Sequence, residues 1–239
     1  MNALCPIIVM AKAPLPGLAK TRLIPALGAA GAAALAERML EHAVRQAVAA
    51  QLGPVELCVT PDATHPAFKR LAQLPRVSVA LQGDGDLGLR MLRAFRRALL
   101  LPFGRSLLIG ADIPALDADL LQRCAQALND VDAVFVPAFD GGYALVGLRR
   151  PEPTLFEGMA WSTPAVMACT RERLLAAHLS CVELAPVVDI DVPADLRHLP
   201  SRWRADWPAD GLAGTTDNAS PNPCPGFVYP ALITHRRLP

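Results

Sequence analysis

Lys12, Lys20 and Arg22 fall in "AKAPLPGLAKTRL", residues 11–23, directly after the apolar run "IIVM". Such a run, lacking polar alternation, predicts a strand buried on both faces, so the cations stand on the loop at its carboxyl end. In open α/β sheets that is where ligands bind, because the loops there are free to vary and helix amino termini point their positive dipoles into the crevice. Pro14 and Pro16 stiffen the loop, Gly17 permits close backbone approach, and Lys20 with Arg22 supplies charge for phosphate oxygens. The residues before Lys20 are Leu18 and Ala19, so the second glycine of a Walker loop is absent, and no G-x-G-x-x-G occurs. A solvated basic turn accounts for the same composition.

Carboxylates stand at other strand ends. In "SLLIGADIPAL" Asp112 emerges just past an apolar run, placed to hold Mg²⁺ against nucleotide phosphates or to close an Asx turn. In "VVDIDVPADL" Asp189 and Asp191 are two residues apart, on one side of an extended segment, and would repel unless a cation lies between them. Asp191 would serve equally as the start signal of a final helix. "LQGDGDLGLRM" offers Gln82, glycine amides, Asp86 and Arg90 where a strand passes into a helix, a setting for an anionic or hydrogen-bonding ligand in which Asp86 also fits a plain cap. "PAFDGGYALVGL" reads as a hairpin whose turn is Asp140, Gly141 and Gly142, followed by Tyr143. "WSTPAV" supplies Trp161 to cover an acceptor and Ser162 or Thr163 to bond it, though those hydroxyls also suit a helix cap ahead of Pro164.

Positioning these groups requires alternating strands and helices. Strands are expected at residues 6–11, 55–60, 77–81, 106–110, 133–137, 143–148 and 181–184. Helices are expected at 30–52, 66–74, 87–101, 118–128, 164–178 and 193–199, with Asp117 capping the fourth. The alternation predicts an α/β fold with a mostly parallel sheet between helix layers. Residues 1–199 read as one domain, and 200–239, rich in Pro, Gly, Asn and Ser, as a tail that is partly disordered or draped over it.

The chain of 239 residues is 52% hydrophobic, enough for a substantial core, and its formal charge of +1 gives no electrostatic case for a nucleic-acid or membrane partner. No stretch approaches ~18 unbroken apolar residues, and a cytoplasmic protein is expected. The six cysteines (5, 58, 124, 169, 181 and 224) form no C-x-x-C pair and are expected as buried thiols. The histidines have no metal-ligand spacing, and no G-x-S-x-G hydrolase elbow is present.

Taken in order, "MAKAPLPGLAKTRL", "LQGDGDLGLRM", "IGADIPAL", "PAFDGGYALVGL", "FEGMAWSTPAVM" and "DIDVPADL" resemble a bacterial family of GT-A-fold, glycosyltransferase-like proteins named for a role in arsenosugar biosynthesis. That family is similar to the wider nucleotide-diphospho-sugar transferases, among them molybdopterin-guanine dinucleotide synthases and phospholactate guanylyltransferases. The resemblance, over residues 7 to about 199, implies a three-layer α/β/α GT-A fold with a mixed, mostly parallel sheet. It implies a nucleotide or nucleotide-sugar donor in the amino-terminal half, a small-molecule acceptor in the carboxyl-terminal half, and Mg²⁺ or Mn²⁺ between them. By the matching motifs Lys20 contacts donor phosphates with Lys12 and Arg22 in support, and Asp112 is the principal metal ligand. Asp189 or Asp191 is the second, the spacing leaving that choice open. Gly17, Gln82, Asp86 and Arg90 complete the nucleotide side, and Asp140, Gly141, Gly142, Tyr143, Trp161 and Thr163 the acceptor side. Two chemistries stay open alongside glycosyl transfer: nucleotidyl transfer releasing pyrophosphate, and nucleotide binding without turnover.

Overall fold

The computed structural model describes residues 4–100, 103–204 and 233–234. Eight strands, β1 (Ile7–Lys12), β2 (Val55–Thr60), β3 (Val77–Leu81), β4 (Ser106–Gly110), β5 (Ala133–Pro137), β6 (Tyr143–Leu148), β7 (Cys181–Glu183) and β8 (Ile233–Thr234), form one sheet. Their order is β3-β2-β1-β4-β6-β5-β7-β8. Strands β1 to β4 pair in parallel, β6 runs antiparallel to β4 and β5, β7 is parallel to β5, and β8 is antiparallel to β7.

Successive strand side chains point to opposite faces, and both faces are covered. Ile7, Val9, Leu107 and Ile109 pack under α1 (Ile24–Ala49), α2 (Pro66–Leu71) and α4 (Ala118–Ala127). Ile8 and Leu108 pack under α3 (Leu87–Leu99) and α5 (Val166–Ala176) with Phe95, Phe156 and Leu174. This explains why these strands lack polar alternation. A third cluster joins Leu23, Leu35 and Met39 to Ile190, Leu196, Leu199 and Trp203, the last on the short helix α6 (Ser201–Arg204). It draws the segment before α6 onto the first half of α1.

Several expected elements differ in the structure. The chain turns helical at Ile24, with Pro25 in the first turn, but Gly28 (φ 68°, ψ 167°) leaves helical geometry and kinks it, so the continuous run of α1 begins just beyond Gly28, close to the expected 30. The stretch from Thr21 to Ala49 is long and apolar enough, by length and composition, to cross a membrane. Here Leu40, Ala43, Val44 and Ala47 pack into the core, while Glu37 and Glu41 pair with Arg70 and Arg45 on its surface. The final helix is instead a 3-10 turn, Pro193–His198. Its start is held by Asp195, whose Oδ2 accepts from the amides of Asp191 and Val192, so Asp191 is not the cap.

The hydroxyls before Pro164 do not cap α5 either. That helix begins at Val166 with no side-chain cap, and Thr163 Oγ1 donates to the Ala160 carbonyl at 2.8 Å. The physical reason is tertiary: residues 159–165 wrap over the β5-β6 hairpin, with Ser162 in the left-handed region, before a helix can form. Asp117 caps α4 as expected, its Oδ1 accepting from Leu120 at 2.8 Å. Of the tail, Trp203 is buried and β8 extends the sheet, while residues 205–232 and 235–239 lie outside the described residues. Cys5, Cys58, Cys124 and Cys181 are free and buried as expected, and burial pushes their thiols up, to about 12 for Cys5 and Cys124 and about 11 for Cys58 and Cys181. Cys169 is half-buried, and Cys224 lies outside the described residues.

Candidate active site

The loop after β1 turns at Gly17 (φ 78°) and brings Lys20 back over the strand ends in a left-handed conformation, φ 46° and ψ 48°. Its ammonium donates to Asp112 Oδ2 at 2.8 Å and lies 3.5 Å from Asp191 Oδ1. Arg22 donates to the other oxygen of Asp191 at 2.6 Å, and Lys12 caps its own loop through the Leu18 carbonyl at 2.9 Å. Residues 90 or more apart in the chain thus converge, and two contacts explain how. The Ile190 amide donates to the Asp112 carbonyl at 3.1 Å, and the Ile190 side chain is fully buried in the cluster containing Trp203. Asp189 and Asp191 flank that anchor on the same rim as Asp112.

The charges respond to this crowding. Burial pulls the Lys20 ammonium down, but the contact with Asp112, aided by Asp191 and Asp189, outweighs it and holds Lys20 above its ordinary value. Asp189 is pushed up, first by burial and then by Asp140 and Asp112. Among the described residues it has no ion-pair partner, and its own backbone and the more distant Lys20 offset the like charge only in part.

Among the described residues, no three His, Cys, Asp or Glu side chains gather into a metal centre by themselves. Magnesium usually takes one or two carboxylates and completes its shell with phosphate oxygens and water. Asp112 and Asp189, mutually repelling on one rim, fit that need as a pair.

These groups open onto a cleft of about 840 Å³, within the range that holds small molecules. Lys12, Lys20, Arg22, Gln82, Asp112, Asp140, Gly142, Tyr143, Trp161, Thr163, Asp189 and Asp191 all line it. Gly17, Asp86, Arg90 and Gly141 do not, and each has local work. Asp86 caps α3, its Oδ1 accepting from Leu89 at 2.8 Å. Arg90 braces the loop before α3, donating to the Gly85 carbonyl at 2.9 Å and to Gln82 Oε1 at 3.3 Å. Gln82 is itself buried, its Nε2 tying the Ala11 and Cys58 carbonyls together, so it holds β1, β2 and the loop in register at the cleft floor. Gly141 (φ 91°) lies against Pro164, where an added Cβ would come within 2.2 Å of the carbonyl oxygen.

Sequence reasoning missed Leu87 and Met91, one turn apart on α3, which also line the cleft. Their i,i+4 spacing is the signal that pairs them on one helix face. The aromatic wall is well defined. Tyr143 and Trp161 meet edge-to-face with centroids 6.4 Å apart, and Tyr143 meets Phe135 at 5.4 Å. Burial pushes the Tyr143 phenol well up, so it stays neutral.

Residues 34–163 match the family DUF2064, described as an uncharacterized protein conserved in bacteria. Among solved structures, a candidate nucleotide-diphospho-sugar transferase from Desulfovibrio desulfuricans G20 is 31% identical, with a TM-score of 0.76, over 89% of this chain and 95% of that one. The 4-diphosphocytidyl-2C-methyl-D-erythritol synthase of Anaerococcus prevotii DSM 20548 aligns with a TM-score of 0.58 at 10% identity, covering 85% of this chain and 100% of that one. A CMP:2-keto-3-deoxy-manno-octonic acid synthetase complexed with CTP aligns at 0.53 and 13% identity, covering 85% and 99%. The last two share the fold alone. No curated protein matches the sequence.

Proposed function

The chain belongs to the DUF2064 family of proteins conserved in bacteria, and we propose that it is a transferase that uses a divalent metal and an activated nucleotide donor to modify a small acceptor. The donor is a nucleotide sugar in this reading, and the transfer is glycosyl. The observation that carries it is the meeting of a loop lysine with carboxylates from two distant strand-end segments: Lys20 lies 2.8 Å from Asp112 and 3.5 Å from Asp191, with Asp189 on the same rim. The likeness to the Desulfovibrio desulfuricans protein at 31% identity supports the same reading. The transferase domain takes in residues 1–199 together with Trp203, which is buried against α1, and β8, which pairs with β7.

Asp112 and Asp189 would hold Mg²⁺ or Mn²⁺: Asp191 is bonded by Arg22 and approached by Lys20, whereas among the described residues Asp112 is paired with Lys20 alone and Asp189 with no cation. When bound, the metal supplies positive charge to the diphosphate oxygens of the donor. Lys20 turns from Asp112 to a phosphate oxygen, and Lys12 and Arg22 add charge on the same side. Little covalent work falls to the protein, so catalysis rests on positioning and on neutralising the leaving diphosphate.

A ligand that binds only the folded form raises apparent stability, by about 3 kcal/mol at a hundredfold excess over Kd. For a chain of this length that is roughly 5–10 °C in Tm. The expected result is a thermal shift that needs both Mg²⁺ and one nucleotide of a panel and is absent in Asp112→Asn. Mass spectrometry with nucleotide sugars and nucleoside triphosphates then identifies the transfer. Pyrophosphate release would replace glycosyl with nucleotidyl transfer, and binding without product under any pairing would leave a nucleotide-binding module.

A further inference from the structure

The cleft has two chemically different sides. The cations that line it, Lys12, Lys20 and Arg22, come from the end of β1 and the segment that follows it. A second wall is built from Leu87, Met91, Tyr143, Trp161, Thr163 and Asp140, and among the described cleft residues it contributes no lysine, arginine or histidine. We propose that this wall selects the acceptor by charge, taking a neutral, hydroxyl-bearing molecule with an apolar or aromatic face and rejecting phosphate- or carboxylate-bearing ones. The proposal deepens, and rests on, the transferase reading above.

Geometry gives the wall its apolar half. The edge-to-face contact of Tyr143 with Trp161 fixes both rings, and the Tyr143 hydroxyl reaches only the Met91 sulfur, at 4.0 Å. One edge of the Trp161 ring is pressed on the first turn of α3, where a Cβ on Gly88 would come within 2.7 Å of the indole nitrogen, so the ring's position depends on that glycine. A rigid aromatic floor of this kind stacks against apolar or C–H faces of a ligand.

Charge gives the wall its selectivity. Asp140 has no ion pair among the described residues, and one of its oxygens accepts only from the Gly142 amide, at 2.8 Å. Asp140, Asp112 and Asp189 all line the cleft, so negative charge runs from the hairpin to the strand ends. An anionic acceptor would meet these carboxylates with no cation of its own, and like charge placed against the wrong partner is an effective means of rejection. The three cations do not pair with Asp140, since each is bonded to another carboxylate or carbonyl, and Lys20 only partly offsets Asp189.

The transfer then balances without an added reagent. The acceptor oxygen forms a bond to the anomeric carbon of the donor, the bond from that carbon to the diphosphate oxygen breaks, and its electron pair leaves with the nucleoside diphosphate. The hydroxyl proton passes to the Asp140 carboxylate.

The test is saturation-transfer NMR on the full chain with two matched pairs: phenyl β-D-glucoside against its 6-phosphate, and 2-phenylethanol against 2-phenylethyl phosphate. Each neutral compound is expected to bind about ten-fold or more tightly than its phosphate ester. Trp161→Ala should abolish that binding and Trp161→Phe retain it, while Asp140→Lys should shift preference toward the esters. Esters that bind as well as the alcohols and lose that binding in Trp161→Ala, or no signal from either alcohol, would overturn the proposal, whereas a phosphate held by Lys12, Lys20 and Arg22 would survive that substitution. Neither nucleotide nor metal is in the sample, so this result is separate from any failure of donor binding.

Discussion

Lys20 occupies a backbone region that costs a non-glycine residue of order 1 kcal/mol, and what it gains is an ammonium set between Asp112 and Asp191. In effect the side chain holds the place of a cation among carboxylates. Lys20→Met should therefore lower the stability of the ligand-free protein only modestly, by about 1 kcal/mol, since both aspartates are more than a third exposed. It should also leave the carboxylates short of positive charge. Mg²⁺ alone, without nucleotide, is expected to raise Tm more in Lys20→Met than in the parent, whereas the shift with Mg²⁺ and nucleotide should shrink. Equal metal-only shifts in the two proteins would mean that Lys20 does not compete with the metal. At this scale the sequence was informative about Asp112, because a residue just past an apolar run must emerge at a strand end, while Lys20 returns there only through the turn at Gly17. It was silent between Asp189 and Asp191. Spacing by two places both on one side of the chain, and only the reach of Arg22 and the bond from Ile190 to Asp112 tell them apart.

The β5-β6 hairpin and the loop before α5 form one unit, joined where the Met167 amide donates to the Gly141 carbonyl at 2.8 Å. Gly141 combines positive φ with a close approach to Pro164, so Gly141→Ala meets both strain and a backbone clash. Gly17 has a similar φ but open space around it, so Gly17→Ala meets strain alone. The first is expected to cost about 2–3 kcal/mol and the second about 1 kcal/mol or less, read as the difference in urea-denaturation free energy. If the two variants are equally stable, the packing of the hairpin on the 159–165 loop does not hold the acceptor wall in place. Strands were the most legible elements, because uninterrupted apolar runs bounded by turn residues leave few alternatives. The start of α5 was not legible, since a Ser-Thr-Pro string has the chemistry of a cap and only the packing of Gly141 against Pro164 shows that the chain is still turning there. The short helical turn ahead of Gly28 escaped, since Pro25 suits a first turn but only the burial of Leu23 shows the chain packed there.

Across the whole molecule, the two halves of the candidate site are held in register by the packing of the carboxyl-terminal segment on α1. Trp203 is central to that contact: Arg38 stacks over its ring at 5.1 Å, and His42 meets it edge-on at 5.2 Å. His42 also shares a hydrogen bond with the Pro114 carbonyl at 3.0 Å, two residues beyond Asp112, so one imidazole touches both the docked segment and the loop that carries Asp112. Burial lowers the His42 pKa most, Arg202 lowers it further, and the Pro114 carbonyl and Asp117 offset this only in part. The folded protein therefore prefers neutral imidazole more than the unfolded chain does. Its contribution to stability is complete above the ordinary histidine value of 6.5 and is lost as pH falls through the lowered folded value. Urea denaturation of the parent should show a loss of stability between neutrality and about pH 5 that is larger than in His42→Gln, where no imidazole can take up the proton. Carboxylates elsewhere titrate equally in both proteins, so the difference between the two pH profiles isolates His42. Parallel profiles would mean that the imidazole is as easily protonated in the fold as outside it, and that the contact of Trp203 with α1 holds the two halves of the cleft together independently of this histidine.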